Sequence, residues 1–263
     1  MQILLTGADQ SITEYLVNAA ISSHSISTIG CKGNHDILCD LRSEIPTIRK
    51  SFDLIIHNSG TQSQDARSSK EAKNIKKLTY QTTINLLKGI ENSKVRLPQR
   101  IVFISSSKVY GEQAGQKPKE NDPLNGSSTF SLSKILSENY LEHWCRNNLV
   151  ELIILRVPHI LFSGSLWDYY RNFNLSGSIF LRLHNQALKF PVILIDDIAD
   201  LLMKGYLREG IYNISDNEGL QVKDIERLIE KRYGVKFIYF PQIFEKLFLN
   251  AKKRRKRGEL INN

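Results

Sequence analysis

The sequence predicts an α/β fold with a doubly wound parallel sheet. Short, strongly apolar runs alternate with longer stretches whose apolar residues repeat at helical spacing. Apolar runs separated by helices are typical of parallel strands that are covered on both faces of the sheet. Right-handed connections between such strands place helices on both faces. The pattern changes after about residue 158, so we expect a small lobe to follow the sheet domain.

Five apolar runs are predicted as strands of this sheet. They are rich in Ile, Leu, Val and Phe, and polar or Gly-containing segments bound them. The predicted strands span residues 3–5, 26–29, 53–56, 101–104 and 152–155. A further strand is expected at residues 192–195.

Between the strands, apolar residues recur at intervals of three or four, which predicts helices. The helices are expected at residues 11–22, 71–92, 130–147, 196–207 and 222–233. Residues 163–190 lack this period and are predicted to be rich in loops. We therefore expect a nucleotide-binding core over residues 1–160. We expect a small substrate lobe over residues 161–250, with elements that return to the core. A basic tail is expected over residues 251–263.

The composition excludes several classes of protein. The chain has 263 residues, of which 41% are hydrophobic and 24% charged, so it can form a core and is not a disordered protein. It has no apolar run long enough for a transmembrane helix, and its first residues do not resemble a secretory signal. Cys31, Cys39 and Cys145 have no metal-type spacing, so we expect no metal site and a reduced, cytoplasmic setting.

The net charge of +9 is concentrated near the carboxy terminus. Residues 252–257 are all Lys or Arg, and without them the net charge is +3. The folded body therefore makes no strong case for a nucleic-acid partner. The basic tail could contact an anionic membrane surface, at about 1 kcal/mol for each basic residue. A solubilising terminus is the simpler interpretation of the same residues.

Seven short segments occur in an order that matches one family. They are Thr-Gly at 6–7, Asp-Leu-Ile-Ile-His at 53–57, Ser-Ser-Ser-Lys-Val-Tyr-Gly-Glu at 105–112, Ser-Lys-x-x-x-Glu at 133–138, Leu-Arg through Ile at 155–160, Ile-Asp-Asp-Ile-Ala at 195–199 and Ile-Tyr-Asn-Ile at 211–214. Together they resemble the extended short-chain dehydrogenase/reductases, in the branch of NAD-dependent epimerases and dehydratases that act on nucleotide sugars. The resemblance implies a Rossmann-like fold, NAD or NADP as cofactor, a nucleotide sugar as ligand, a role in polysaccharide precursor metabolism and a possible homodimer.

The phosphate loop departs from the pattern of this family. The family places three glycines at intervals of three after the first strand, for a tight turn, close approach of the pyrophosphate and helix–strand packing. Gly7 is retained, whereas Gln10 and Thr13 occupy the other two positions and Asp9 adds a negative charge. The segment is either a weakened dinucleotide loop or a simple turn with Asp9 or Ser11 as the helix N-cap.

The resemblance implies further cofactor contacts. Asp40-Leu41 is similar to the pair that the family places against adenine, and Asn58-Ser59-Gly60 is small enough for the cofactor to pass over. No carboxylate stands near Cys31 to hold the ribose hydroxyls, although Lys32 could tolerate a 2′-phosphate. Asp40 could equally be a solvated loop acid, and residues 58–60 could be an ordinary turn at a strand end.

The catalytic pair is incomplete. The family uses Tyr-x-x-x-Lys with a nearby hydroxyl, because the lysine cation lowers the pKa of the tyrosine that takes the substrate proton. Lys134 is present and Ser106 matches the hydroxyl position, but Phe130 replaces the tyrosine. A phenyl ring has no exchangeable proton, and loss of such a group costs about 10²–10⁴ in rate. Lys134 could then be a helix-surface cation.

Other groups could take the place of the missing base. Ser131, Tyr110 and His159 are candidates, and His159 stands where the family often contacts the substrate with Asn. Arg182 could bind a diphosphate, or it could pack under a loop. Two functions remain open, an enzyme of nucleotide-sugar metabolism with an altered base and a non-catalytic protein that binds nucleotides or sugar nucleotides. Nucleic-acid binding ranks last, because only the basic tail supports it.

Overall fold

A computed structural model gives the structure of the protein, and it divides into two compact units. The first comprises Met1–Ile160 and Ile193–Ser215, and the second comprises Leu161–Val192 and Asp216–Asn263. The described residues are 1–8, 11–20, 24–58, 69–111, 117–161, 179–183, 189–190, 192–203, 207–214, 220–221, 227, 230–231, 234 and 236–240. The basic tail lies outside these residues. The limits of core, lobe and tail given above stay predictions.

A seven-stranded sheet is the centre of the first unit. Its strands are β1 (Gln2–Thr6), β2 (Ser25–Gly30), β3 (Ile37–Leu38), β4 (Leu54–His57), β5 (Arg100–Ser106), β6 (Glu151–Val157) and, later in the chain, β11 (Gly210–Asn213). The order across the sheet is β11-β6-β5-β4-β1-β2-β3, and all six neighbouring pairs are parallel. The predicted doubly wound, Rossmann-like sheet is confirmed. Its strand order reverses between β1 and β4, where ligands bind in open α/β sheets.

Four α-helices are described in this unit. They are α1 (Ser11–Ala20), α2 (Ser69–Asn92), α3 (Thr129–Asn148) and α4 (Ile195–Met203), and a short 3₁₀ helix spans Ser107–Tyr110. The first three agree closely with the periods read from the sequence. The helix expected over 196–207 ends at Met203, and most of the one expected over 222–233 lies outside the described residues.

The hydrophobic core lies between the sheet and the pair α2 and α3. The central strands are buried on both faces, as a parallel sheet requires. Leu86, Leu87 and Ile90 from α2 pack with Leu141 and Trp144 from α3 in this core. The indole Nε1 of Trp144 also donates to the Glu91 carboxylate at 2.7 Å, which joins the two helices. On the other side α1 packs against α4, where the Tyr15 hydroxyl donates to Asp196.

Six short strands complete the description. They are β7 (His159–Leu161), β8 (Ile179–Leu183), β9 (Lys189–Phe190), β10 (Val192–Leu194), β12 (Leu220–Gln221) and β13 (Lys236–Phe240). In the second unit β8 pairs with β13 in parallel, and β9 pairs with β12 in antiparallel fashion. β10 pairs with β7 and agrees with the strand expected near residue 192.

The prediction that residues 163–190 are rich in loops misses two of these strands. β8 has only five residues, and its partner β13 lies far along the chain. A short apolar run of this kind does not reveal its pairing through local periodicity. Among the described residues, no helix is long and apolar enough to cross a membrane.

Candidate functional site

The candidate site lies at the carboxyl ends of the parallel strands. Thr6 ends β1, His57 ends β4 and Ser106 ends β5, and these strands are consecutive neighbours in the sheet. Because the strands are parallel, the residues that follow them meet at one edge. This edge holds the reversal of strand order between β1 and β4 and is the expected place for a ligand.

The turn after β1 retains the first feature of a phosphate loop. Gly7 has φ = 71°, a left-handed conformation that glycine adopts without steric cost. The backbone N–H of Ala8 donates to the carbonyl of Ile29 in β2 at 3.2 Å, which fixes the path of the turn. Gln10, at the second glycine position, lies outside the described residues.

Thr13 fills the third glycine position without disrupting the packing of α1. Its side chain is fully buried, and its hydroxyl donates to the carbonyl of Thr6 at 3.5 Å. The same hydroxyl accepts from the side-chain amide of Asn58 at 3.1 Å. The helix therefore reaches the strand through a hydrogen-bonded threonine. Asn58 is buried in this contact, and Ser59 and Gly60 lie outside the described residues.

At the adenosine end, Asp40 and Leu41 have different surroundings. The Asp40 carboxylate accepts from the Nε and Nη2 of Arg42, each at 2.6 Å, and from its backbone N–H at 3.0 Å. The Leu41 side chain is part of the hydrophobic core, and its carbonyl accepts from Asn85 Nδ2 at 2.8 Å. The core contact gives Leu41 a structural role whether or not a cofactor binds, and the assignment of both residues to adenine stays a prediction.

His57 is held in a chain of buried hydroxyl groups. Its ring nitrogens contact the hydroxyls of Thr6 at 2.7 Å and Thr83 at 3.0 Å, and Thr83 donates onward to Ser137 at 3.2 Å. The ring also stacks on Phe103, with centroids 5.5 Å apart. Burial and, secondarily, the charge of Lys134 lower the pKa of His57 to about 3. The ring is therefore neutral near pH 7 and serves to link β1, β4 and α2.

Lys134 lies in an apolar environment beneath the end of β5. Its side chain is 4% exposed, and its Nζ donates to the carbonyl of Ile104 at 2.7 Å. The Nζ lies 4.8 Å from the ring centroid of Phe103 and 5.9 Å from that of Phe130. Burial lowers the pKa of Lys134 to about 7, although the charge of Glu138 acts in the opposite direction. The amine is therefore present in both protonation states near neutral pH.

Phe130 presents only a hydrocarbon surface to Lys134. It lies one helical turn before Lys134 on α3 and is half-buried. Ser106, the hydroxyl candidate, is also half-buried, and its Oγ accepts from the backbone N–H of Lys108 at 3.3 Å as the N-cap of the 3₁₀ helix. The predicted roles of Ser106, Phe130 and Lys134 are assignments that the family pattern implies.

A buried ion pair adjoins these residues. The Nη2 of Arg156 donates to the Glu138 carboxylate at 2.8 Å, with the two side chains 4% and 1% exposed. Ser105 donates to the same carboxylate, and the Nη1 of Arg156 donates to the Tyr110 hydroxyl at 2.7 Å. Tyr110 in turn donates to the side-chain carbonyl of Asn213 at 2.7 Å. One network thereby joins β5, β6, β11, α3 and the 3₁₀ helix.

This network was not assigned a role from the sequence. Glu138 and Arg156 stood out only as members of two family motifs, eighteen positions apart. A usable signal is the single charge of Arg156 within the apolar run of β6, since buried charges in proteins are usually paired.

Two of the candidate substitute bases are already engaged. Tyr110 is buried and hydrogen-bonded as above, and Ser131 is buried within hydrogen-bond distance of Ser128 at the start of α3. The backbones of His159 in β7 and Arg182 in β8 are described, but their side chains are not. Their predicted substrate contacts therefore stay predictions. Among the described residues, no group of His, Cys, Asp and Glu could hold a metal ion.

The residues present at the crevice between β1 and β4 fit a dinucleotide only in part. Gly7 supplies the turn and Ala8 is small, but Gln10 and Thr13 stand in place of two glycines. The reacting end fits only in part, because Lys134 is accompanied by the phenyl ring of Phe130 in place of a phenol. NAD or NADP, when bound, accepts or supplies hydride, and proton transfer must come from the protein.

We expect the free energy of unfolding to fall as the pH is lowered below about 6.5. The pKa of His57 is near 6.5 in the unfolded chain and about 3 in the folded protein. Between these values the unfolded state binds the proton and the folded state does not, so lowering the pH favours unfolding. The slope due to this residue is about 1.4 kcal/mol for each pH unit. Urea unfolding at several pH values measures it. His57→Asn should flatten this dependence of the unfolding free energy on pH, and the control His143→Asn, at an exposed position, should not. An equal slope in the wild type and in His57→Asn would contradict the account.

We further expect strong coupling between Glu138 and Arg156. Removing one partner leaves a buried charge unpaired, so Glu138→Gln or Arg156→Met should each destabilise the fold by about 3–5 kcal/mol. The double variant should lose about 1–3 kcal/mol less than the sum of the two. Urea unfolding of the four proteins measures the coupling. The exposed pair Arg100 and Glu151 is the matched control, with an expected coupling below about 1 kcal/mol. Strict additivity at Glu138 and Arg156 would refute the interaction.

The structure is similar to MoeE5 in complex with UDP-glucose and NAD, at 18% identity and a TM-score of 0.74, with 92% of this chain and 85% of the other covered. It is also similar to the UDP-glucose 4-epimerase of Thermotoga maritima with UDP-glucose, at 18% identity and a TM-score of 0.71, with 92% and 86% covered. A third similar structure is RMD from Pseudomonas aeruginosa complexed with NADPH, at 15% identity and a TM-score of 0.69, with 92% and 87% covered.

These similarities support the fold, because the identities are low. No curated protein matches the sequence. The model of the NAD dependent epimerase/dehydratase family matches residues 3–201, which is well over half of the chain. The chain therefore belongs to the NAD-dependent epimerase/dehydratase family.

Proposed function

We propose that this protein binds a nucleotide sugar together with NAD or NADP and lacks the tyrosine-based proton transfer of its family. The observation that carries the proposal is the phenyl ring of Phe130, 5.9 Å from the Nζ of Lys134. A general base must lie within hydrogen-bond reach of the proton that it removes. Phe130 supplies no such group, and Tyr110 is held by Arg156 and Asn213.

The binding half of the site retains part of the family pattern. Gly7 and Asn58 would hold the dinucleotide at the crevice, and Asp40-Leu41 would contact its adenine. His159 and Arg182 are the proposed contacts of the nucleotide sugar. UDP-sugars are the ligands of two of the similar structures, which supports a UDP-sugar as the first ligand to test.

The setting of this activity is also a proposal. The family resemblance supports a role in polysaccharide precursor metabolism and a homodimer. None of Cys31, Cys39 and Cys145 forms a disulfide bond, which supports the reducing environment of the cytoplasm. Residues 252–257 would allow the tail to contact an anionic membrane surface.

Calorimetric titration with UDP-glucose in the presence of NAD or NADP tests the proposal. We expect binding to the wild type with no conversion of the sugar, measured by chromatography of the nucleotide products. Phe130→Tyr should create measurable turnover if Ser106 and Lys134 are in position, because the phenol restores the missing proton acceptor beside a cation. A gain of about 10²-fold or more over the background is expected.

Phe130→Leu is the matched control, because it changes the packing without adding a hydroxyl. It should bind UDP-glucose and remain inactive. The proposal fails if the wild type binds no nucleotide sugar. It also fails if the wild type converts one at a rate that Phe130→Tyr does not raise.

A second candidate function follows from the chemistry of Lys134. A buried lysine with a lowered pKa can serve as a general base. Lys134 donates one N–H to the carbonyl of Ile104. A neutral amine that donates in this way still carries a nitrogen lone pair, which can accept a proton. Under this second function the protein is an enzyme. The Nζ of Lys134, and not a phenolate, takes the proton of a sugar hydroxyl.

The rate of UDP-glucose conversion as a function of pH distinguishes this enzyme from a binding protein. The rate should rise with pH through about 7 as Lys134 loses its proton. Lys134→Arg should abolish turnover, since a guanidinium stays protonated at every accessible pH. Exposed Lys119→Met is the control and should leave the pH profile unchanged. Activity that persists in Lys134→Arg would exclude Lys134 as the base.

A further inference from the structure

Two cysteines meet at the edge of the sheet where β2 pairs with β3. The parallel register joins Gly30 to Leu38, so the next pair in the same register is Cys31 and Cys39. The backbone N–H of Cys39 donates to the carbonyl of Gly30 at 2.9 Å, which continues the ladder of hydrogen bonds between the two strands. Strand pairing therefore brings the two cysteines together, although seven residues separate them along the chain.

This backbone contact limits the distance between the Cα atoms of the two cysteines. The carbonyl of Gly30 belongs to the peptide unit that leads to Cys31, so one peptide unit and one hydrogen bond separate the Cα atoms of Cys31 and Cys39. Neighbouring strands lie about 4.8 Å apart, and disulfides span Cα distances of about 4.4–6.8 Å. The backbone thus meets the first geometric requirement for a disulfide.

The alternation of side chains along the two strands places both thiols on one face of the sheet. Ile29 and Ile37 are register partners two positions before the cysteines, and both pack on the hydrophobic core. The intervening position faces the other way, because a Cβ added at Gly30 would meet the ring of His35. Successive residues of a strand point to opposite faces, so the next position faces the core again. Cys39 belongs to this core, as the alternation requires.

The two thiols differ in their access to solvent. Cys31 is half-buried, and its Sγ accepts from the Nη2 of Arg42 at 3.9 Å, which also donates to the Asp40 carboxylate. Cys39 is 7% exposed, and burial, followed by the charges of Glu44 and Asp40, raises its pKa to about 11. A buried thiol that keeps its proton reacts slowly with an oxidant from solvent. Cys31 is therefore the thiol that reacts first.

We propose that Cys31 and Cys39 form a site of reversible thiol oxidation, in which hydrogen peroxide converts the two thiols to a disulfide. In the first step the sulfur of Cys31 attacks the peroxide, the O–O bond breaks, and a sulfenic acid forms while water leaves. In the second step the sulfur of Cys39 attacks the sulfenic sulfur, and the S–OH oxygen leaves as water with the proton of Cys39. Two thiols are oxidised, and one peroxide is reduced to two molecules of water.

This site is independent of the nucleotide-binding role proposed above. It is also compatible with a reducing compartment, because disulfides that form there are usually transient and serve to sense oxidants. The disulfide would join β2 to β3 covalently at the edge of the sheet. Closing the loop between positions 31 and 39 restricts the unfolded chain, so the oxidised protein should be the more stable form.

Peptide mapping of the full chain after treatment with hydrogen peroxide tests the proposal. Remaining thiols are alkylated, and trypsin then cleaves after Lys32, which separates the two cysteines. A disulfide between them joins the peptide of residues 1–32 to that of residues 33–42. We expect this linked pair, the loss of two of the three thiols, and a loss of two hydrogen atoms from the intact mass. Dithiothreitol should restore both thiols.

Variants assign the two steps to their residues. Cys39→Ala should stop at the sulfenic acid of Cys31, which dimedone traps, whereas Cys31→Ala should leave the buried thiol of Cys39 reduced. Cys145→Ala is the matched control, because Cys145 is a buried cysteine on α3, which packs against β5 and β6. It should give the same linked peptides as the wild type and at the same rate. Thermal melting verifies that each variant folds.

The wild type alone decides the proposal, whatever the stability of the variants. The proposal is overturned if both thiols stay reduced at peroxide concentrations that oxidise free glutathione. It is also overturned if the disulfide includes Cys145, or if Cys31 is oxidised without joining Cys39. Oxidation should raise the melting temperature of the wild type. A lower melting temperature of the cross-linked protein would also refute the site, because the folded register would then oppose the bond.

Discussion

The buried ion pair between Glu138 and Arg156 is the constraint on which the geometry of the site depends. Two charges removed from water cost several kcal/mol each unless they are paired and their remaining donors and acceptors are satisfied. Here Ser105 donates a hydrogen bond to the Glu138 carboxylate. The Arg156 guanidinium donates to the Tyr110 hydroxyl and to the carbonyl of Glu120. Every one of these partners comes from a different segment. The requirement to satisfy both charges therefore fixes the end of β5, the 3₁₀ helix and the following loop relative to α3 and β6.

The same ion pair determines the environment of Lys134. Burial lowers the pKa of Lys134 to about 7, and the charge of Glu138, which also pairs with Arg156, opposes this shift only in part. In a family member with tyrosine at position 130, the phenolate would supply a second counter-charge to this lysine. Phe130 removes that counter-charge and adds apolar surface. On the proposed assignment of position 130 to the family's tyrosine, the phenyl ring would leave the site without that base and Lys134 without that counter-charge.

The sequence predicted the parts of the structure whose signals are local. Apolar periodicity identified β1, β2, β4, β5, β6 and the first three helices, and the family motifs singled out Ser106 and Lys134. It did not predict β8 and β13, because these two strands pair with each other from distant parts of the sequence. It also did not predict that Thr13 bonds to Thr6 and Asn58, or that Arg42 binds Asp40. Those contacts depend on how the segments meet at the sheet edge, which single-residue patterns do not encode.

Binding and chemistry draw on different strands in this fold, so one can change without the other. The predicted adenosine contacts lie after β2, at the turn of residues 40–44, and the predicted reacting residues lie on β5 and α3. Interactions that bind the ground state and the transition state equally well increase the affinity for the substrate but do not accelerate the chemical step. Position 130 belongs to the predicted reacting end, while the predicted adenosine contacts Asp40 and Leu41 lie on the far side of the strand-order reversal. Binding of a dinucleotide would therefore rest on contacts that position 130 does not touch.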